Sequence, residues 1–255
     1  MNNQKPLRQR LRSAGLLFML LLFPITLNYF SPYLIIMGAS EGVINGSFLV
    51  FSGMFLVSLF FGRAWCGWIC PAGALGEVCQ PINNKAVSGK KIDWIKWLIW
   101  VPWIALISIV VIGAGGYKEV NFLYGTVNGI SVAGSEDRPI LFAYIIYYGV
   151  ILIFSILSLT VGRRAGCHTV CWMAPFMIIG RKISNWLHLP ALRLDVEPEK
   201  CTRCNTCTSN CPMSLDVTAM VQRGKMENTE CILCGNCIDG CRTKAIRYKI
   251  TSITT

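Results

Sequence analysis

The chain has 255 residues, of which 53% are hydrophobic and 15% are charged, and its formal net charge is +11. Soluble globular domains carry about 25% charged residues, so this composition excludes an ordinary soluble domain or a disordered chain and predicts a membrane protein. The positive charge would suggest nucleic-acid binding only if the cations lay away from the membrane, because cations that flank membrane spans set their orientation instead. We therefore expect no nucleic-acid partner.

Four apolar segments have about the length that a helix needs to cross a hydrocarbon core, roughly 20 residues. They cover residues 13–30, 43–62, 94–113 and 140–161. The first follows several basic residues, as in a signal peptide, but it has no small-x-small cleavage site, so we expect an uncleaved anchor. The expected fold class is an α-helical membrane protein with four transmembrane helices.

The basic residues predict the orientation of these spans. They are concentrated before the first span, between the second and third, and after the fourth, whereas the other two loops carry few. They are Lys5, Arg8, Arg10 and Arg12, then Arg63, Lys85, Lys90 and Lys91, and finally Arg163, Arg164, Arg181 and Lys182. By the positive-inside rule, we expect a multi-pass protein of the cell (inner or cytoplasmic) membrane with both termini cytoplasmic.

The second and fourth spans run into similar motifs. Residues 62–71 are Gly-Arg-Ala-Trp-Cys-Gly-Trp-Ile-Cys-Pro, and residues 162–171 are Gly-Arg-Arg-Ala-Gly-Cys-His-Thr-Val-Cys. Each copy has Gly-Arg followed by a Cys-x3-Cys pair, at the predicted cytoplasmic end of a span. The repetition predicts two duplicated helical hairpins within a four-span domain of residues 1–191.

The composition changes at about residue 192, where apolar runs give way to polar, cysteine-rich sequence with Gly and Pro. This change predicts a second, small α+β domain of residues 192–255. An amphipathic segment at 176–189 is expected to connect the two domains near the membrane surface.

The cysteines of the second domain follow the spacing of bacterial ferredoxins twice. The two runs are Cys201-x2-Cys204-x2-Cys207-x3-Cys211 and Cys231-x2-Cys234-x2-Cys237-x3-Cys241. In two-cluster ferredoxins, three closely spaced thiolates bind one 4Fe–4S cluster and the fourth ligates the other. That rule assigns one cluster to Cys201, Cys204, Cys207 and Cys241, and the other to Cys231, Cys234, Cys237 and Cys211. Zinc ribbons do not explain the two x3 positions, and a cytoplasmic location disfavours disulfides.

With these motifs, the chain resembles the membrane-bound polyferredoxin family of NapH- and NosR-like 4Fe–4S proteins. The resemblance rests on Cys66-x3-Cys70-Pro71, on Cys167-x3-Cys171 and on the doubled ferredoxin run. It implies an electron-transfer subunit that moves electrons between a membrane donor or acceptor and partner proteins. The chain departs from the family pattern at Trp172, since no proline directly follows the second pair.

The two Cys-x3-Cys pairs have several explanations. Positions i and i+4 share a helix face, so Cys66 and Cys70 could converge with Cys167 and Cys171 to hold a third 4Fe–4S cluster. A copper or zinc site, a reversible dithiol couple and buried cysteines without chemistry remain open. Cys79 has no partner at motif spacing and is expected to be structural.

Three other residue groups accompany these pairs. His168 lies inside the second motif; an interfacial polar role is favoured, with metal ligation and proton transfer as alternatives. Arg63, Arg163 and Arg164 could offset the negative charge of a thiolate-ligated cluster or serve simply as membrane anchors.

The predicted function is one-electron relay between a membrane or soluble donor (a quinol, a ferredoxin or a dehydrogenase) and a partner redox protein, with no catalytic residue identified. Expected partners are membrane lipid and redox proteins, with quinone as one candidate, although the sequence locates no quinone site. The alternative is a metal-handling assembly factor for a respiratory enzyme, in which the membrane thiols bind or reduce copper. Met173 and Met177 near the second pair give that alternative weak support.

Overall fold

The computed structural model of the protein describes residues 6–88, 92–131 and 140–252. Lys5, Lys90 and Lys91, which contributed to the predicted orientation, lie outside the described residues. The helices are α1 (Leu7–Leu21), α2 (Phe23–Thr26), α3 (Pro32–Glu41), α4 (Gly46–Phe61), α5 (Ala64–Trp68), α6 (Pro71–Cys79), α7 (Ile95–Gly113), α8 (Ile140–Thr160), α9 (Ala165–Thr169), α10 (Ala174–Trp186), α11 (Thr206–Ser209), α12 (Val217–Gln222) and α13 (Asn236–Asp239). The strands are β1 (Val43–Asn45), β2 (Glu119–Asn121), β3 (Ala191–Val196) and β4 (Ile246–Thr251).

Two of the described helices, α7 and α8, are long and apolar enough to cross a membrane. They have 19 and 21 residues, and most of their side chains face outward, as expected for helices surrounded by lipid. α1 and the following helical segment Phe23–Phe30 would form a third span if taken together, but they are bent by 59°. Pro24 lies in the first turn of the second segment, where its ring interrupts the helical hydrogen bonds.

The predicted second span forms the shorter helix α4, which has 16 residues. At 1.5 Å per residue it is about 24 Å long, less than the roughly 30 Å of a hydrocarbon core. The described part of the chain is therefore mostly helical and contains two candidate spans, or three if the bent pair counts as one, and the predicted number of four is not confirmed.

The two copies of the repeated motif fold alike. A long helix, α4 or α8, is followed by Gly62 or Gly162, each with a positive φ (51° and 138°). A short helix, α5 or α9, comes next, and then a helix with proline in its first turn, α6 or α10.

The prediction that each cysteine pair shares one helix face is wrong. Cys66 lies within α5, but Cys70 lies beyond its end with φ −79° and ψ 122°. Pro71 is the reason, because a proline disfavours the helical conformation of the residue before it. In the second copy, Cys171 likewise lies beyond the end of α9.

The cysteine-rich part is built around an antiparallel pair of strands, β3 and β4, in which Leu194 lies opposite Tyr248. The two ferredoxin runs repeat one local design. α11 follows Asn205 (φ 60°) and α13 follows Gly235 (φ 79°), so a left-handed residue turns the chain sharply between the second and third cysteines of each run.

The apolar and cysteine-rich parts are packed directly against each other. A Cβ atom added at Gly67 would lie 2.3 Å from the Ile232 carbonyl oxygen, and the Trp68 indole donates a hydrogen bond of 3.0 Å to the Leu233 carbonyl. The segment that contains Cys66 and Cys70 therefore contacts the backbone next to Cys231 and Cys234.

Amphipathic helix α10 lies between these parts. It packs against α4, and at Gly180 a Cβ atom would lie 1.8 Å from the Ser58 hydroxyl oxygen. Met177 and Ile178 on its inner face are buried, whereas Trp186 at its end is exposed. The helix thus covers part of the core instead of lying wholly on a membrane surface.

Candidate metal centres

The eight cysteines of the ferredoxin runs line two separate pockets. One pocket is lined by Cys201, Cys204, Cys207 and Cys241. The other is lined by Cys211, Cys231, Cys234 and Cys237. These are the two sets that the spacing rule predicts, in which the fourth cysteine of each run joins the other set.

The two sets differ in their exposure to solvent. In the first set, which we call the outer set, Cys204 is exposed, and it is the single exposed cysteine among the thirteen. In the second, which we call the inner set, Cys211, Cys234 and Cys237 are buried. The inner set lies beside the apolar part of the protein, which we also call the membrane part. Gln9 of α1 belongs to this part, and its side-chain amide donates a 3.1 Å hydrogen bond to the Cys234 carbonyl.

Burial governs the acidity of the inner thiols. It raises the pKa of Cys231 to about 12 and the pKa of Cys211 to about 11. In the outer set, hydrogen bonds from Thr206 and Thr202 lower the pKa of Cys204. The Ala245 amide also donates to the Cys241 sulfur at 3.3 Å. Metal ligation requires the thiolate, so a cofactor that binds the inner set has to displace these protons.

The four membrane cysteines, Cys66, Cys70, Cys167 and Cys171, are brought together in one buried group, which we call the membrane set. Each is no more than 4% exposed. Burial raises the pKa of Cys70 well above its usual range, and the other three thiols of the set raise it further. Four thiols within electrostatic range of one another provide the ligand number of a 4Fe–4S cluster.

Unpaired donors surround the membrane set. Nine buried side-chain nitrogen or oxygen atoms of the described residues have no hydrogen-bond partner, and five of these belong to residues beside the four cysteines. The five are Arg63 Nε and Nη2, Trp65 Nε1, Arg164 Nε and His168 Nε2. Because a buried donor without an acceptor is costly, this concentration fits a group that is rich in acceptors and negative charge. The donor set and the four thiols thus suit an iron–sulfur cluster.

A buried ionic network connects the membrane set to the inner set. Glu230, next to Cys231, forms ion pairs with Arg63 and with Lys96, the latter at 2.6 Å. Burial alone would raise the pKa of Glu230, but the charges of Arg63 and Lys96 outweigh it and lower the pKa to about 2. The carboxylate is therefore ionised at neutral pH and holds both cations.

His168 lies in the same network. It is fully buried, and its Nδ1 atom is 2.6 Å from an Asp93 carboxylate oxygen. The favoured role of an interfacial polar residue is therefore wrong, because α9 packs against α6, α7 and α8 and the His168 side chain has no exposed surface. Asp93, His168 and Glu230 place ligand atoms within 4.8 Å of one another, but the Lys96 ammonium already lies between the two carboxylates.

A second buried ionic group centres on Glu77. Its carboxylate receives two hydrogen bonds from Arg12, at 2.6 and 2.9 Å, and pairs with Arg164. Arg164 also donates to the Cys66 carbonyl at 2.7 Å. The group therefore joins α1, α6 and the second cysteine motif around the membrane set.

These acidic partners were not predicted from the sequence, although three signals were present. Lys96 is a cation inside an apolar segment, Glu77 lies among apolar residues, and Glu230 directly precedes a cluster cysteine. Each is unusual for its surroundings, but its partner is distant in the chain, so the sequence did not pair them. Cys79 is buried and lies outside the three cysteine sets, in keeping with the structural role expected for it.

Comparison with known proteins finds two iron–sulfur domains. Residues 46–89 match the family described as a 4Fe-4S binding domain, and residues 193–242 match the family described as a 4Fe-4S dicluster domain. The first match contains Cys66 and Cys70, and the second contains the whole doubled ferredoxin run. No solved structure matches the chain.

Several known proteins are similar over most of the chain. The putative electron transport protein YccM of Escherichia coli is 22% identical over 216 residues, which are 82% of this chain and 57% of that protein. The ferredoxin-type protein NapH of Haemophilus influenzae is 22% identical over 78% of this chain and 68% of its own length. The methylamine utilization ferredoxin-type protein MauN of Paracoccus denitrificans is 25% identical over 81% of this chain and 68% of its own length.

These matches confirm the predicted class of cofactor and the predicted family. Two 4Fe–4S clusters are the cofactors, and iron–sulfur electron transfer in a membrane-associated protein is the function that the relatives support. Redox partner proteins are implied by the same relatives. The matched domains and the named relatives together support the predicted resemblance of the chain to NapH-like polyferredoxins.

Proposed function

We propose that this chain relays single electrons between a membrane quinol and a soluble redox partner, and that the membrane set holds a third 4Fe–4S cluster. The observation that carries the proposal is the convergence of Cys66, Cys70, Cys167 and Cys171 in one buried group between an apolar cavity and the inner set. A 4Fe–4S cluster supplies a reversible one-electron centre. Protein groups supply its ligands, its counter-charges and its separation from water.

Within this proposal, the outer and inner sets are the ligands of the two ferredoxin-type clusters. Arg63 and Arg164 are buried cations beside the membrane set, and each has hydrogen-bond donors that no described residue accepts. A thiolate-ligated cluster carries net negative charge, and nearby cations stabilise that charge in a medium of low dielectric. The Arg63–Glu230 pair also joins the membrane motif to the loop of the inner set.

The quinol assignment rests on an apolar cavity of about 200 Å³. Its walls include Phe23, Phe30 and Phe154, and it reaches Ala72 and Trp172, which follow the two cysteine pairs closely in the chain. Small-molecule sites are concave and mostly apolar, with a few polar groups that orient the ligand. Asn28, Ser31, Tyr33 and Ser131 are among the residues with polar side chains that line this cavity.

The topology proposed here has four crossings, with both termini and all three cysteine sets on the cytoplasmic side. The apolar segments and the distribution of Lys and Arg support it. α4 would then cross a locally thinned bilayer, at a cost of fractions of a kcal/mol per Å of mismatch. The same proposal keeps residues 1–191 as the membrane domain and 192–255 as the ferredoxin domain.

Iron content tests the third cluster. After anaerobic purification, we expect about twelve iron and twelve acid-labile sulfide atoms per chain, against about eight for two clusters. Replacing Cys66, Cys70, Cys167 or Cys171 by Ala in turn should lower the content toward eight, because each removes one of four ligands. Cys79→Ala is the matched control, a buried cysteine outside the three sets. A wild-type content of eight that these replacements leave unchanged would contradict the third cluster.

Filling the cavity tests the quinol site. Ala143 lines it on α8, so Ala143→Trp should slow reduction of the clusters by decylubiquinol about tenfold to a hundredfold, since overpacking costs roughly 1–3 kcal/mol. Stopped-flow bleaching of the iron–sulfur absorbance measures this rate. Ala105→Trp, on the exposed side of α7, is the control and should change little. Equal rates in both variants, with iron content intact, would show that quinol does not enter this cavity.

One observation favours a second function, a copper-handling assembly factor. The Cys66 sulfur lies 3.9 Å from the Met177 thioether sulfur, and thiolate with thioether is a ligand combination that Cu(I) prefers. The experiment on iron content separates the two functions. Stoichiometric copper that is lost with Cys66→Ala, together with an iron content of eight, would favour copper handling.

A further inference from the structure

The outer set offers a soluble partner the most direct access to the described metal ligands. Cys204 is the exposed cysteine, whereas the membrane set is buried and the inner set is covered by the membrane part through Gly67, Trp68 and Gln9. Electron transfer slows steeply as the distance between redox centres grows. A partner protein must therefore contact the surface around Cys204.

That surface is positively charged. Arg203, Arg242 and Lys244 are exposed, and Arg242 lines the pocket of the outer set. None of the three forms an ion pair with a described residue; other exposed cations of this part do, such as Lys200 with Glu197 and Arg247 with Asp195. Their charges are therefore available to a partner.

The geometry points to a docking surface for an acidic redox protein, made of Arg203, Cys204, Arg242 and Lys244, which we call the Cys204 face. This inference rests on the proposed relay and names the charge of its soluble partner. Complementary charge speeds and orients the encounter of two proteins, and short-lived redox complexes have small interfaces, under about 1,200 Å². Cations around one exposed ligand suit such a brief contact.

The test uses the full chain, loaded with clusters in nanodiscs of phosphatidylcholine, and two soluble probes of opposite charge. These are an acidic cytochrome b5 and a basic cytochrome c. The variant Arg203→Gln/Lys244→Gln removes two charges from the Cys204 face. Arg10→Gln/Lys85→Gln removes two exposed cations from the membrane part and is the matched control. Binding is measured by interferometry on immobilised nanodiscs, and electron transfer by stopped flow after reduction with dithionite.

We expect the Cys204-face variant to bind cytochrome b5 about tenfold more weakly at low ionic strength, and the control to bind as wild type does. The difference should vanish at about 0.5 M salt, because charges are then screened over a few Å. Cytochrome c should not bind more weakly to the variant. Electron transfer to cytochrome b5 should fall in parallel with binding.

Three results would contradict the proposal that the Cys204 face is a docking surface for an acidic protein. Cytochrome b5 could bind both variants as tightly as wild type. Electron transfer from the Cys204-face variant to both cytochromes could slow by the same factor, which would mean that the substitutions changed the cluster potential. The variant could also differ only in nanodiscs that contain phosphatidylglycerol, which would make the surface a lipid contact. If cytochrome b5 binds as expected but wild type reduces neither cytochrome, the relay fails while the docking surface stands.

Discussion

Glu77→Ala should lower the free energy of unfolding by about 3–5 kcal/mol, the usual cost of removing one partner from a buried ionic group. Glu77 is the counter-charge of both Arg12 and Arg164, whose side chains are 5% and 1% exposed. Burial alone would raise the pKa of Glu77, but the two arginines lower it overall, so the carboxylate is charged at neutral pH. Without it, two guanidinium groups remain buried beside the membrane set.

Thermal or denaturant unfolding in detergent measures the decrease in the free energy of unfolding. Glu77→Gln should recover part of the stability, since the amide oxygen still accepts a hydrogen bond. Glu199→Ala, at an exposed glutamate, should change stability by no more than about 0.5 kcal/mol. If Glu77→Ala proves as stable as the Glu199 variant, the carboxylate does not hold the two arginines.

Gly67→Ala should loosen the contact between the membrane motif and the ferredoxin part, at a cost of about 1–3 kcal/mol. The added Cβ atom would lie 2.3 Å from the backbone oxygen of Ile232, which cannot move without shifting the loop between Cys231 and Cys234. Alanine would ordinarily favour the short helix α5 by about 1 kcal/mol over glycine. A net loss therefore reports the close approach of the two parts.

The control for Gly67→Ala is the variant Gly53→Ala in α4, where an added Cβ atom meets no other atom within 4 Å. That variant should be neutral or slightly stabilised. Thermal unfolding gives the stability, and limited proteolysis of residues 192–255 reports their attachment to the membrane part. Equal behaviour of the two alanine variants would mean that the two parts are not in tight contact at Gly67.

The grouping of the ferredoxin cysteines could be foreseen because the relevant information is local. Three thiols within seven residues can reach one small group only if the backbone curls around it, and the x3 spacing sends the fourth to the other set. The two pockets contain the predicted sets. The long apolar helices α7 and α8 were predictable for a similar reason, since a run of about 20 apolar residues has few other stable environments.

The membrane set was only partly predictable. The repeated motif suggested that Cys66 and Cys167 would converge, and the structure brings them together. The predicted i, i+4 arrangement was wrong, however, because the short helices end at Trp68 and Thr169, before the second cysteine of each pair. In the first copy, Pro71 disfavours a helical conformation of Cys70. Convergence comes instead from the packing of α5, α6 and α9, which the spacing within one motif does not determine.

By itself, the sequence determined the class of the protein, its iron–sulfur cofactors and the division of eight cysteines into two sets, since each depends on composition or on spacing within a few residues. The tertiary structure alone decided which buried charges pair, as in Arg63 with Glu230 across 167 positions of the chain, and which cysteine faces solvent. It also decided where the apolar cavity lies relative to the membrane set. The physical reason is that buried ion pairs, cavities and exposure depend on segments that are distant in sequence and adjacent only after folding.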